Sequence, residues 1–120
     1  MKKLIYNKII PFKGFVAINL FGLIFVRKEK KAYIENNYYA KSVLLNHELV
    51  HTAQYKELLY VFYLPLYILN YVINLFVYKF NHNKAYKNIC FEREAFKYEY
   101  SDYYLEQRDS YSWLKYVFKS

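Results

Sequence analysis

Glycine and proline are nearly missing from this chain, which has two of each in 120 residues. So few turn-formers exclude a fold of many short strands joined by tight turns, and favour long helices. Cysteine occurs once, at Cys90, so no intramolecular disulfide can form and no cysteine-rich zinc site can be assembled. The lone thiol reads as a small buried hydrophobe. Acidic residues are also few, ten against eighteen basic ones, leaving a net charge of +8. Such a surface suits anionic lipid or nucleic acid. The lysines are spread along the chain and no nucleic-acid-binding motif accompanies them, so nucleic acid is not expected as a partner. A solvated basic surface and attraction to an anionic membrane remain as two readings of the charge.

What is abundant is apolar and aromatic: 56% of residues are hydrophobic, with 17 tyrosines and 10 phenylalanines. A chain of this length and composition is expected to form one domain over residues 1–120, with a core that needs no staples. No repeat, linker or low-complexity tract divides it. Met1-Lys2-Lys3 has the charge of a signal-peptide start, but Lys8 and Lys13 interrupt the apolar residues after it and no small-residue cleavage site appears. A cleavable signal is therefore not expected, and the location reads as cytoplasmic or membrane-associated.

The apolar run Gly14 to Val26 is too short to span a bilayer as a helix. Its Phe, Val and Ile content predicts one or two strands, turning near Asn19. Residues 27–37, charged and polar, read as a loop. A helix is expected from about Ala40 to Tyr63, ended or kinked by Pro65. A second is expected from Leu66 to Phe80, then a turn at Asn81-His82-Asn83, and a third helix from Lys84 to Tyr100. The tail adds a short helix with Trp113, Leu114 and Val117 as its apolar side. The expected fold is mainly α with a small N-terminal β element.

Inside the first helix lies His47-Glu48-Leu49-Val50-His51. Two histidines four residues apart project from one helix face, so both imidazoles can reach one metal at about 2.0–2.1 Å. Glu48 lies about a hundred degrees further round, beside the metal, where it can take a proton from metal-bound water. The bland alternative is a pair of ordinary helix histidines, but the motif sits in the helical setting that its chemistry requires. A catalytic zinc needs a third protein ligand. Glu57, six residues past His51, faces away if the helix continues, and no glycine turns the chain at Gln54.

Downstream the chain reads Phe91-Glu92-Arg93-Glu94-Ala95-Phe96. Together with the first motif this resembles the gluzincins, zinc metallopeptidases of the thermolysin-like and Ste24/HtpX-like kind, whose third ligand opens a Glu-x-x-Ala/Ser-Asp motif on a later helix. The order of motifs is also similar to that in small HExxH proteins of Bacteroidetes. The resemblance implies a minimal zincin-like core with zinc on His47, His51 and Glu92, and Glu48 as general base and then acid. It departs at Phe96, where the family has an aspartate orienting a ligand histidine; Gln54, Glu99 or a backbone carbonyl would stand in. Glu94, Glu99 and His82 compete with Glu92 as third ligand. The oxyanion donor would be a tyrosine or Arg93.

Leu58 to Tyr78 carries no charge and qualifies by length as a transmembrane span. A full crossing would put Glu92 across the bilayer from the histidines. A hairpin broken near Pro65 avoids this: about 18 Å up from His51, about 21 Å down, and about 12 Å up again to Glu92. Tyr60, Tyr63, Tyr67 and Tyr71 suit either a membrane interface or the core, while Asn70 and Asn74 need partners away from water. The function expected is zinc-dependent hydrolysis of a peptide or protein substrate, with a membrane surface as a further partner. The rival readings are an inactive zincin-like metal-binding or membrane-associated interaction protein, and a structural membrane-surface protein with an accidental motif.

Overall fold

The computed structural model describes residues 4–9 and 17–117. Strands β1 (Leu4–Asn7), β2 (Ala17–Leu20) and β3 (Leu23–Arg27) form one sheet in the order β1-β3-β2, with β3 parallel to β1 and antiparallel to β2. The hairpin turns at Phe21-Gly22, two residues later than expected, and both residues have positive φ (54° and 93°). That is the turn whose twist matches the strands, and Gly22 takes its position without a Cβ clash. The expected segment's first residues, 14–16, lie outside the described residues. β1 was not anticipated. Leu4, Ile24 and Val26 bury one face of the sheet against Ile34 and against Leu44, Leu45 and Leu49.

Residues 27–37 are not a loop. They form a 3₁₀ turn (Lys28–Lys30) and helix α1 (Lys31–Glu35). No glycine or proline interrupts them, and burial of Ile34 anchors the turn despite its charged neighbours. Helix α2 (Tyr38–Glu57) opens on Asn37, whose side chain accepts from the Ala40 amide at 3.1 Å. It closes before Pro65 is reached. The amides of Tyr60 and Leu59 return to the carbonyls of Tyr55 and Lys56, with Leu59 and Tyr60 at positive φ. This is a Schellman ending built without glycine. Helix α3 (Tyr63–Val77) then carries Pro65 in its first turn, where a missing N–H costs nothing. It ends the same way at Lys79 and Phe80.

Asn81 is a helix cap, not part of a turn: its side chain accepts from Lys84, and His82 opens helix α4 (His82–Lys87). The expected long third helix is two helices, α4 and α5 (Cys90–Tyr98), broken where Ile89 is extended. Burial of Ile89 in the core fixes that break. Helix α6 (Tyr104–Gln107) and a 3₁₀ turn (Ser112–Tyr116) complete the chain. Trp113 packs on Phe91 with ring centres 5.0 Å apart, but Leu114 and Val117 face solvent. The main core gathers Tyr55, Tyr63, Ile89, Cys90, Phe91 and Trp113, so the thiol is buried and pushed up to about 11. The fold is mainly α with a small β element. Among the described residues no helix is long and apolar enough to cross a membrane.

Candidate metal centre

The buried stripe of α2 is largely polar: His47, Glu48, His51, Thr52 and Gln54 share it with Val50 and Tyr55. Two elements cover it. From the sheet, Asn19 donates to the Glu48 carbonyl at 2.8 Å and to the Thr52 hydroxyl at 2.7 Å, while Tyr55 donates back to the Asn19 carbonyl. From the other side α5 presents Glu92 and Glu94 in its buried first turns.

Glu92 Oε1 lies 3.0 Å from Nε2 of His47 and 3.0 Å from Nε2 of His51, and the two nitrogens are 3.3 Å apart. A tetrahedral zinc with bonds of about 2.0–2.1 Å has donor–donor edges of about 3.3–3.4 Å. The triangle is thus close to the size of one face of such a site. All three residues are buried, and the group is of the kind that can hold a metal ion. Their other polar atoms are already engaged. His47 Nδ1 lies 2.8 Å from Glu99 Oε1, and His51 Nδ1 lies 2.8 Å from Gln54 Oε1 and 3.1 Å from the Tyr63 hydroxyl. Both Nδ1 atoms therefore carry a proton, so that in the neutral rings the Nε2 lone pairs face the shared centre. Glu92 Oε2 accepts from Tyr67 at 2.7 Å, and Tyr86 also bonds this carboxylate.

Burial works against charge on His47, yet contact with Glu92 and Glu99 outweighs it and holds the ring up at about 10. Burial likewise opposes charge on His51, and Glu92 beside it raises that ring too. Glu92 would be raised by burial, but the two imidazoles keep it below the ordinary carboxylate range. Glu48 behaves oppositely: burial lifts its carboxyl above the usual range despite both imidazoles. Its Oε1 is buried with no hydrogen-bond partner. This unpaired oxygen belongs to the residue next in sequence to His47, one of the three whose donor atoms could hold a metal ion.

The centre lies where two clefts meet. One, of about 590 Å³, is lined by His51, Glu92, Tyr63, Tyr67 and strand β2; the other, of about 440 Å³, by His47, Phe96, Glu99, Tyr39 and Val43. Ala17, Glu48 and Tyr86 line both.

Arg93 does not come to the centre. Its guanidinium donates to the Asn88 side chain and it lines neither cleft, because its position on α5 turns it a hundred degrees from Glu92. His82 reaches the first cleft but lies 2.7 Å from the Tyr71 hydroxyl, outside the donor triangle. Glu57 and Glu94 are both taken by Arg108. Sequence reasoning missed Asn19, Thr52, Tyr86 and the Arg108 clamp. Of the two readings of Tyr63 and Tyr67, interface or core, the core one holds, and their hydroxyls in addition bond His51 and Glu92. Their spacing by four in an otherwise apolar helix was the available signal. Compared with models of known protein families, with curated proteins and with solved structures, the chain matches none.

Proposed function

We propose that the protein is a zinc-dependent hydrolase that cleaves peptide bonds with water. The observation carrying this reading is the closing of two Nε2 atoms and one carboxylate oxygen to within 3.3 Å of one another beside the unpaired Glu48 Oε1. Two neutral imidazoles and a carboxylate form a donor set that suits zinc, and three protein ligands leave a position open. Zinc held there would supply Lewis-acid activation of water and of the scissile carbonyl.

The remaining steps belong to the chain's own residues. Glu48 takes the proton of the attacking water and returns it to the leaving nitrogen; its raised pKa moves it toward neutrality, where one group serves both roles best. Glu99 and Gln54 keep the imidazoles in the ligating tautomer, and Tyr67 fixes which oxygen Glu92 presents. Arg93 lines neither cleft, so the donor to the oxyanion is a cleft tyrosine rather than that guanidinium. A peptide lying across the junction sets its flanking side chains into two largely apolar clefts that each contain several aromatic rings, which selects bulky apolar residues on either side of the bond.

Metal content and peptide hydrolysis of wild type and Glu48→Gln test this. Both proteins are expected to hold one zinc, with hydrolysis of an aromatic-rich peptide falling at least about a hundredfold in the variant. Absence of zinc from the wild type, or full activity in the variant, would end the proposal.

A further inference from the structure

We propose that α3 lies flat in the surface of an anionic membrane, its outer face immersed in the lipid and its inner face holding the metal centre. This goes beyond hydrolysis and does not depend on it. The two faces of α3 differ completely. Every polar side chain on the helix between Tyr63 and Asn74 is turned inward and bonded. Tyr63 reaches His51, Tyr67 reaches Glu92, Tyr71 reaches His82, Asn70 accepts from the Cys90 amide, and Asn74 donates to the Ala85 carbonyl. The opposite face is a stripe of Phe62, Leu66, Leu69, Ile73, Phe76, Val77 and Phe80, all exposed, the last three by 67%, 62% and 60%. At a hundred degrees per residue the six positions from Phe62 to Val77 fall within about 100° of arc, so they form one continuous ridge, with Phe80 beyond the end of the helix.

Both ends of the ridge are held in costly backbone. Leu59 and Tyr60 before α3, and Lys79 and Phe80 after it, have positive φ without being glycine. The result is to turn Leu59 and Phe80 outward at either end, extending the apolar surface rather than hiding it. A stretch this apolar on a monomer marks a place where water is excluded by something else.

Charge decides what that something is. Between Glu57 and Glu92 there is no acidic residue, while Lys79 is exposed just past the C-terminal end of the ridge, Lys56 just before its start, and Lys84 and Lys87 on the neighbouring α4. A second copy docking on this face would bring two cationic rims together. A bilayer with anionic headgroups complements both the ridge and the lysines. The helix must lie in the plane: fifteen residues rise only about 22 Å, short of the roughly 30 Å of hydrocarbon. A crossing would also drag Tyr67 and the Glu92 it bonds into the lipid.

The test is vesicle flotation of the full chain with phosphatidylcholine vesicles containing phosphatidylglycerol, and with phosphatidylcholine alone. Binding to the anionic vesicles is expected to exceed binding to the neutral ones by about a hundredfold, a roughly fivefold gain for each of three lysines. Leu69→Ser combined with Phe76→Ser changes only exposed side chains and should abolish flotation while leaving the helical circular dichroism unchanged. Equal binding to both lipids, flotation of the double variant, or no flotation at all overturns the proposal. Dimerisation in solution without flotation, relieved by the double variant, overturns it in favour of a second copy. Flotation persists in Glu48→Gln and after zinc chelation, so its outcome is separate from that of the hydrolase reading.

Discussion

Two clusters of carboxylates lie where α2 faces α5, and they are balanced differently. In one, Glu57 and Glu94 share Arg108, whose guanidinium meets Glu57 at 2.7 and 3.0 Å and Glu94 at 2.5 and 3.1 Å. Tyr104 and Gln54 complete the coordination of Glu94. In the other, Glu48, Glu92 and Glu99 surround two imidazoles, and among the described residues no lysine or arginine pairs with any of them. Buried carboxylates need a counter-charge. The first cluster carries its own; the second must recruit protons onto His47 and His51 or an ion between them. Gln54 joins the two, accepting from His51 and donating to Glu94. Thus the fixed ion pair is joined through Gln54 to the cluster around the two histidines.

The sharpest break of this contrast is Arg108→Met. Glu94 is wholly buried, so the substitution leaves it and Glu57 without a counter-charge and should cost about 3–5 kcal/mol, read by denaturant unfolding. Adding Glu94→Gln should recover part of the loss. A cost below about 1 kcal/mol would mean that the clamp is not the counter-charge described. The opposite signature is expected from Glu99→Gln, which touches the cluster without a fixed cation. It replaces a carboxylate acceptor of His47 Nδ1 with an amide that can still accept. Zinc affinity should fall about 10–100-fold, measured by competition with a chelator, while the metal-free protein loses less stability than in Arg108→Met. Unchanged affinity would remove Glu99 from the site.

Proton and metal compete for the same nitrogens, which gives the contrast a pH dependence. In the metal-free protein His47 is held up at about 10, above the ordinary imidazole value near 6.5. Its charged form therefore contributes stability that is complete below pH about 6.5 and is lost as the pH rises through about 10. Zinc needs the neutral ring, so loading releases this proton and the apparent affinity should rise about tenfold per pH unit for each proton released. The expected outcome is a gap in unfolding temperature between zinc-loaded and chelated protein that widens from pH 6 to 8. A gap that stays constant would show that the rings are already neutral.

The fold class, and the convergence of His47, His51 and Glu92 at one point, could both be read from residues, but for different reasons. Scarce glycine and proline left helices as the main solution, and His47, Glu48 and His51 sit at a spacing only a helix makes useful. Glu92 came through a resemblance, since nothing local distinguishes it from Glu94; what separates them is Arg108, fourteen residues beyond Glu94 and invisible to local pattern. The helix ends were misplaced because Pro65 looked like the breaker, whereas Leu59 and Tyr60 adopt the left-handed conformation that sequence assigns to glycine. The break at Ile89 was hidden for a similar reason, since burial of an isoleucine rather than a turn residue makes it. The helix expected from about Ala40 is α2 over most of its length, although its buried stripe is largely polar.

The smallest expected effect separates direct from shared support of the recruited ion. Tyr67 donates to Glu92 Oε2, leaving Oε1 to face the imidazoles. Tyr67→Phe removes that hydroxyl while keeping the ring stacked over Phe91 and against Tyr63. A hydrogen bond to a charged group is worth about 1.5–3 kcal/mol when nothing replaces it. Here Tyr86 also bonds Glu92, so the carboxylate keeps one donor and the loss should be smaller, about fivefold in zinc affinity or about 1 kcal/mol. Tyr86→Phe alone should behave alike, and the double variant should lose more than the product of the two, because only then is the carboxylate free to rotate. If the double variant shows only the product, the two phenols support Glu92 independently rather than sharing its restraint.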